Sequence, residues 1–140
     1  MNILFFLTPK ANVSCVDADA TLRQALEKLE MSGYTALPII SKQGKYIGTI
    51  TEGDLLWYVK QNNKLTIFDA EDVPLRKINR KRDNAAVSIN ASMDSLWERA
   101  INQNFVPVTD DDGIFIGIVT RKDIMIYMNE QYNMDDDKAS

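Results

Sequence analysis

The sequence predicts an α/β (α+β) chain built from two copies of one β-α-β-β-α unit. Three observations carry that expectation. A set of special residues recurs at fixed spacing, an amphipathic helix pattern precedes each occurrence, and helical periodicity resumes after each. The recurring residues are Pro38 with Pro107, Gly44 with Gly113, Gly48 with Gly117, Thr51 with Thr120 and Asp54 with Asp123. Each pair lies 69 positions apart, without a gap, in a chain of 140 residues. Self-similarity at a fixed period marks a repeat architecture.

The elements follow in order. A short β-rich run around Val13–Val16 opens the first copy. Between Thr21 and Glu30, Leu22, Ala25, Leu26 and Leu29 share one helical face. Thr21 and Gln24 have capping-box spacing. Leu37–Ser41 and Tyr46–Thr51 read as strands joined through Gln43-Gly44, a hairpin-like signal whose connection exceeds the tightest turns. Leu55, Leu56 and Val59 then restore a helical period.

The second copy repeats this plan. A β-run lies around Ala86–Ile89, and a helix from Ser92 to Gln103 turns Met93, Leu96, Trp97, Ala100 and Ile101 inward. A strand pair joined through Asp112-Gly113 follows, then a helix carrying Ile124, Met125 and Met128. This upstream helix aligns with a shift of 71, so the second copy is shorter before its proline. Trp57 and Trp97 fall at expected core positions. The expected units are 1–62, the first copy with an N-terminal arm; 63–82, a linker; 83–130, the second copy; and 131–140, an acidic, solvated and frayed tail.

Composition narrows the function. Hydrophobic residues make up 45% and charged residues 26%, as in a soluble globule, and a globule of this length hides roughly 68% of its unfolded surface. A net charge of −4 disfavours nucleic-acid binding, which needs a surplus of Lys and Arg. The apolar N-terminal run Met1–Leu7 is too short to span a bilayer and lacks the basic region of a signal peptide. It is expected to form an arm packed on the core or on a partner chain. A single cysteine, Cys15, excludes an intrachain disulfide and fits a reducing compartment.

Catalysis finds no support. The chain has no His, the commonest general base and metal ligand, and Cys15 has no His to activate it. Neither a phosphate loop nor a Gly-x-Gly-x-x-Gly occurs. Asp110-Asp111-Asp112 reads as a solvated turn rather than a metal site, and Arg76, Lys77, Arg80, Lys81 and Arg82 as an exposed linker face, with contact to phosphate as the alternative. The sharpest motif is Thr-x-x-Asp, present as Thr51–Asp54 and Thr120–Asp123. Taken structurally it caps a helix; taken functionally it brings a helix N-terminus and a carboxylate to a cleft where phosphate and ribose hydroxyls can bind. The two uses are compatible.

The helix followed by Gly33-Tyr34-Thr35-Ala36-Leu37-Pro38-Ile39-Ile40, and then Gly44, Gly48-Thr49-Ile50-Thr51 and Asp54, resembles a cystathionine-β-synthase-type (CBS) domain. Asn104-Phe105-Val106-Pro107-Val108 through Asp123 is similar again, so nearly the whole chain resembles a tandem CBS pair, or Bateman module. The resemblance implies two units packed sheet to sheet about a pseudo-twofold axis. It also implies two clefts, which family members commonly fill with adenine nucleotides. By the same resemblance, Asp54 and Asp123 hold ribose hydroxyls, and Thr51, Thr120 and Arg121 face phosphate. The base lies against the main chain of Asn12, Val13 and Ser14 (or Ala86–Ser88), and of Thr35 and Ala36 or Phe105 and Val106. Glu52 stands where the second copy has Arg121, so the cleft near Arg121 is expected to be the better anion site.

The Gly-Tyr-Thr-Ala-x-Pro string and the short chain are similar to small stand-alone CBS proteins of Gram-positive bacteria. Some of these bind cyclic di-AMP and control a partner protein. The resulting expectation is a cytoplasmic, homodimeric regulatory module with no catalytic residue, cofactor or metal, and no nucleic-acid or membrane partner. It would bind an adenine nucleotide (AMP, ADP, ATP, S-adenosylmethionine or cyclic di-AMP) and relay occupancy by linkage to an unidentified regulated protein. The competing expectation is a ligand-free interaction scaffold that kept the fold.

Overall fold

The first copy supplies β2 (Val16–Asp17), α1 (Leu22–Ser32), β3 (Ala36–Ile40), β4 (Tyr46–Thr51) and α2 (Glu52–Gln61), preceded by the short strand β1 (Thr8–Pro9). The second supplies β5 (Val87–Ser88), α3 (Met93–Asn102), β6 (Phe105–Thr109), β7 (Phe115–Thr120) and α4 (Arg121–Ala139). The computed structural model describes residues 1–62, 66 and 68–139. Thr21 and Gln24 form both bonds of a capping box at the start of α1, and Gly33, at φ 71, closes its end with a bond to the Leu29 carbonyl. Ser92 caps α3 through the Ser95 N–H, but α3 ends at an extended Gln103 with no glycine.

Two sheets result, β2-β3-β4 and β1-β7-β6-β5. In each copy a parallel pair (β2 with β3, β5 with β6) adjoins an antiparallel one (β3 with β4, β6 with β7). The sheets meet through one contact made twice. Tyr46 N donates to Gly113 O at 3.4 Å, and Phe115 N donates to Gly44 O at 2.9 Å. Donors and acceptors are repeat equivalents exchanged between the halves, which is what a pseudo-twofold axis requires. Ile40, Phe105, Phe115 and Ile118 seal the junction.

Each half is completed by a segment from outside it. Ile3 and Phe6, in a 3-10 turn, are buried with Leu96, Val106, Val119 and Ile124 of the second copy. Ala70, Leu75 and Ile78 are buried with Leu22, Leu37, Ile50 and Leu55 of the first. The arm thus belongs to the core opposite the unit it was assigned to. Two repeat glycines make room for these segments. A Cβ on Gly117 (φ +156) would strike the Thr8 carbonyl, and one on Gly48 would lie 2.6 Å from Asp83 Oδ1.

Three sequence expectations are corrected here. In the 63–82 linker, residues 63–65 and 67 lie outside the described residues. The remainder holds two 3-10 turns, Asp69–Asp72 and Leu75–Lys77, and is tied to the first copy by Leu22 N to Val73 O and Leu75 N to Ala20 O, both 2.8 Å. It is part of the fold rather than a spacer. The tail expected to fray from 131 instead continues α4 to Ala139, since no proline or glycine interrupts that stretch; Ser140 lies outside the described residues. Finally, Ile101, expected inward, and Leu26, expected on the apolar face of its helix, are exposed, as are Leu56, Val59, Met125 and Met128, because each helix pair packs on its sheet with one side only. Trp57 is exposed as well, with the Lys60 and Lys81 ammonium groups 5.1 and 5.0 Å from its ring.

Candidate functional site

The cleft arises where proline interrupts a ladder. The parallel pairing of β2 with β3 begins at Val16 opposite Ile39. One step earlier in that register, the Ser14 carbonyl would need the N–H of residue 38, and proline has none. The second copy repeats the break, with Val87 opposite Val108 and Pro107 denying a donor to the Ala85 carbonyl. Main chain is left without a ladder at both places, and a cleft of about 550 Å³ opens between the repeats.

One wall comes from the first copy: Val13 and Ser14, then Tyr34, Thr35 and Ala36 leading into β3. Thr51, Glu52 and Gly53 add the N-terminus of α2. The opposite wall comes from Asn84, Gln103, Asn104 and Phe105, with Ile118 and Thr120 of β7, and Arg82 contributes a cation. Strand entrance and helix start are tied alike in both halves. Glu52 N donates to Thr35 O at 2.9 Å, and Arg121 N donates to Asn104 O at 2.8 Å.

Seven of the residues singled out in the sequence therefore line the cleft: Val13, Ser14, Thr35, Ala36 and Thr51, with Phe105 and Thr120 across from them. Five do not. Asn12 sits exposed in the 3-10 turn Lys10–Asn12. Val106 is buried in the second core, on the opposite strand face from Phe105 as the two-residue period of a strand requires. Asp54 is 4% exposed, with Oδ2 accepting from Thr51 N and Oδ1 from Lys81 N, both at 3.1 Å. Asp123 is exposed in the first turn of α4, outside the cleft lining.

Arg121 is the largest departure. Its Nε donates to Ala100 O at 2.8 Å, and its terminal nitrogens donate to Ile101 O and Asn104 Oδ1, each at 3.2 Å. Helix α3 has no glycine to close its last turn, so the guanidinium satisfies carbonyls that Gly33 leaves no need for in α1. Among the described residues the cation that lines the cleft is Arg82, from the stretch read as an exposed linker face or, alternatively, a phosphate contact. Glu52 entered the sequence reading as a neighbour that disfavours an anion, but Gly53, Tyr34, Asn84 and Gln103 escaped it. The last three are legible once the repeat is aligned in full, because Tyr34 and Gln103, and Val13 and Asn84, occupy equivalent positions.

Behind the cleft a polar network fixes the linker. Tyr46 OH donates to Asn84 O at 2.6 Å, Asn84 N donates to Thr49 Oγ1 at 3.2 Å, and Thr49 N donates to Asp83 Oδ1 at 3.0 Å. Arg80 Nε pairs with Asp83 Oδ1 at 2.8 Å. Burial pushes the Tyr46 phenol up to about 12, so it stays a donor. Burial also raises the Asp83 carboxyl, but the hydrogen bonds from Arg80 and Thr49 outweigh it and leave the group below its ordinary value. Burial raises the Cys15 thiol, opposed by Lys10 and Lys28, so nothing here activates it as a nucleophile.

The chain matches the family described as CBS domain over residues 7–61 and 71–130. It is 27% identical over 130 residues to the cyclic di-AMP receptor B of Bacillus subtilis, covering 89% of this chain and 84% of the receptor. A solved structure of a CBS domain protein from Streptococcus pneumoniae is 28% identical, with a TM-score of 0.82 over 92% of this chain and 87% of that one. The structure of CbpB in complex with c-di-AMP has the same fold, with a TM-score of 0.86, 24% identity, and coverage of 99% of this chain and 91% of that one. An enzyme is also similar, the inosine-5'-monophosphate dehydrogenase of Nitrosopumilus maritimus, at 28% identity over 113 residues. That match takes in 81% of this chain but spans only 22% of the dehydrogenase. Among the described residues no helix is long and apolar enough to cross a membrane.

Proposed function

The chain belongs to the CBS-domain family, and from that premise we propose that it is a regulatory module binding an adenine nucleotide in the cleft between its repeats. The observation that carries the reading is the cleft itself. Its volume of about 550 Å³ suits a nucleotide-sized ligand. Proline leaves the Ser14 main chain without a ladder partner there, and the α2 N-terminus and Arg82 supply positive ends for phosphate. Val13, Ser14, Thr35 and Ala36 take the base, and Thr51, Thr120 and Arg82 the ribose-phosphate. The relatives named for cyclic di-AMP make that nucleotide the first candidate.

Occupancy reaches a regulated protein by linkage, to the extent that the ligand prefers one state of the module. Leu26, Leu29, Leu55, Leu56 and Val59 line a second groove, of about 550 Å³, on the outside of α1 and α2. An apolar face of this kind suits a second copy of the chain in a symmetric dimer, which sedimentation of the full chain and of Leu56→Asp tests. The free thiol of Cys15 fits a cytoplasmic setting. The competing reading, a ligand-free interaction scaffold, has one observation in its favour: both oxygens of Asp54 are engaged in structural hydrogen bonds.

A thermal-shift panel of AMP, ADP, ATP, S-adenosylmethionine, NAD, cyclic di-AMP and GTP separates the two. Ligand at ~100 times its dissociation constant adds about 2.7 kcal/mol, which raises the midpoint of a chain this size by roughly 6–10 °C. A selective rise with one adenine compound is the expected result. A flat panel overturns the nucleotide reading in favour of the scaffold.

A further inference from the structure

The two open main-chain edges of the cleft are not in the same condition. In the second repeat, Gln103 is 7% exposed and its carboxamide is fully engaged with that edge. Oε1 accepts from Ala85 N at 2.9 Å, while Nε2 donates to Ala85 O at 3.1 Å and to Phe105 O at 3.2 Å. Asn84 Nδ2 donates to the same Phe105 carbonyl at 3.1 Å. The Ala85 carbonyl that Pro107 deprives of a donor, and the Ala85 N–H, are thus both satisfied from within the chain, as buried main-chain groups must be.

In the first repeat the equivalent of Ala85 is Ser14, and the equivalent of Gln103 is Tyr34. Tyr34 lines the cleft and is 48% exposed. Among the described residues no side chain hydrogen-bonds the Ser14 main chain. Where Phe105 fills the second side, Ala36 leaves room. A carboxamide offers an acceptor beside an N–H donor, and the N1 and N6 positions of adenine offer the same pair. Gln103 thus presents to Ala85 the hydrogen-bonding pattern that an adenine base would present to Ser14.

We propose that Gln103 acts as a built-in occupant of the second repeat's base-reading edge, so that the cleft takes one base, on the Ser14 edge. This rests on the nucleotide reading above for its consequence, but not for its geometry. The edge at Ser14 selects an adjacent acceptor and donor, as in adenine, and rejects the reversed pattern of guanine N1 and O6. The pseudo-twofold site is asymmetric in occupancy because a side chain has taken one half of it.

Two measurements on the full chain test this. In amide hydrogen exchange followed by NMR, corrected for intrinsic rates, the Ala85 amide exchanges at least about tenfold more slowly than that of Ser14. Gln103→Ala removes that protection while the strand amides of β6 and β7 keep theirs. Gln103→Met, similar in volume and lacking both polar groups, serves if the smaller side chain disturbs folding. In calorimetric titration with AMP, the wild-type chain takes one equivalent, and Gln103→Ala/Phe105→Ala, which clears both the carboxamide and the ring from the second side, takes two.

Equal exchange at Ala85 and Ser14 in the wild-type chain, two AMP equivalents in the wild type, or a stoichiometry of one in both proteins would overturn the proposal. If neither protein binds AMP or cyclic di-AMP, it is the nucleotide reading that fails. The exchange at Ala85 then decides the role of Gln103 alone: slow exchange lost on substitution upholds it, fast exchange overturns it.

Discussion

At the N-terminus of α2, Asp54 is buried and shares its two oxygens between the Thr51 and Lys81 amides. At the N-terminus of α4, Asp123 stands in solvent, and its own N–H bonds to Thr120 Oγ1 at 3.1 Å. The motif is the same, and so is the Thr cap, since Asp54 N bonds to Thr51 Oγ1 at the same 3.1 Å. What differs is the segment laid over each half. The stretch from Arg80 to Asn84 crosses β4 beside Gly48 and brings the Lys81 amide to Asp54. The arm runs antiparallel beside β7 at Gly117 as an edge strand, anchored by apolar contacts of Ile3 and Phe6. A conformationally demanding motif keeps its local geometry in both copies, and the covering chain decides which of its groups become structural and which remain free.

The largest effect that sharpens this comparison is expected where the arm enters the second core. Phe6→Ala removes a ring packed edge-on against Trp97 at 5.8 Å and Tyr127 at 5.3 Å, and should cost about 3–5 kcal/mol in urea unfolding. A variant as stable as wild type would mean that the arm does not complete that core. Next come the two aspartates. Asp54→Ala leaves two main-chain amides without their acceptor, at about 1–3 kcal/mol for each one that stays buried, whereas Asp123→Ala should stay within about 0.5 kcal/mol of wild type. Equal losses at the two sites would erase the distinction between them.

A smaller effect concerns pH. The folded Asp83 carboxyl lies below its ordinary value, so its contribution is present above the ordinary carboxylate range and is lost as pH falls through the folded value. Asp83→Asn should therefore flatten the acid side of the stability profile while leaving its slope above pH 6 unchanged. An unaltered acid limb in thermal melts would show that the linker is not held by this carboxylate.

Much of this was legible in the sequence because the repeat is written in residues with backbone roles. Pro38 and Pro107 cannot donate to a ladder, Gly48 and Gly117 admit a crossing chain, and Thr51 and Thr120 cap helices, so strand and helix positions followed from them. Of the seven chosen residues that line the cleft, Thr51 and Thr120 are repeat positions themselves, and Thr35, Ala36 and Phe105 lie within three residues of the prolines. The exchange of arm and linker between cores was not legible, since an apolar residue such as Phe6 or Leu75 does not state which core it enters. The exposed faces of the helix pairs misled for a related reason: Leu26 and Ile101 keep helical periodicity whether a sheet, a partner or solvent covers them. The role of Arg121 depended on a neighbour. Its target is an α3 terminus without the glycine that closes α1, a difference visible only when the two copies are compared position by position.

The central claim is that a nucleotide occupies the cleft on the side of the first repeat, where Ala36 stands in place of Phe105. Calorimetric titration of cyclic di-AMP into the wild-type chain and into Ala36→Phe tests it most directly, with thermal melts to show that both are folded. The account predicts saturable binding to wild type and an affinity at least about 100-fold weaker in the variant, whose new ring fills the space its repeat counterpart already fills. Equal affinity in the two proteins, or no heat from wild type with cyclic di-AMP, AMP or ATP, would contradict it.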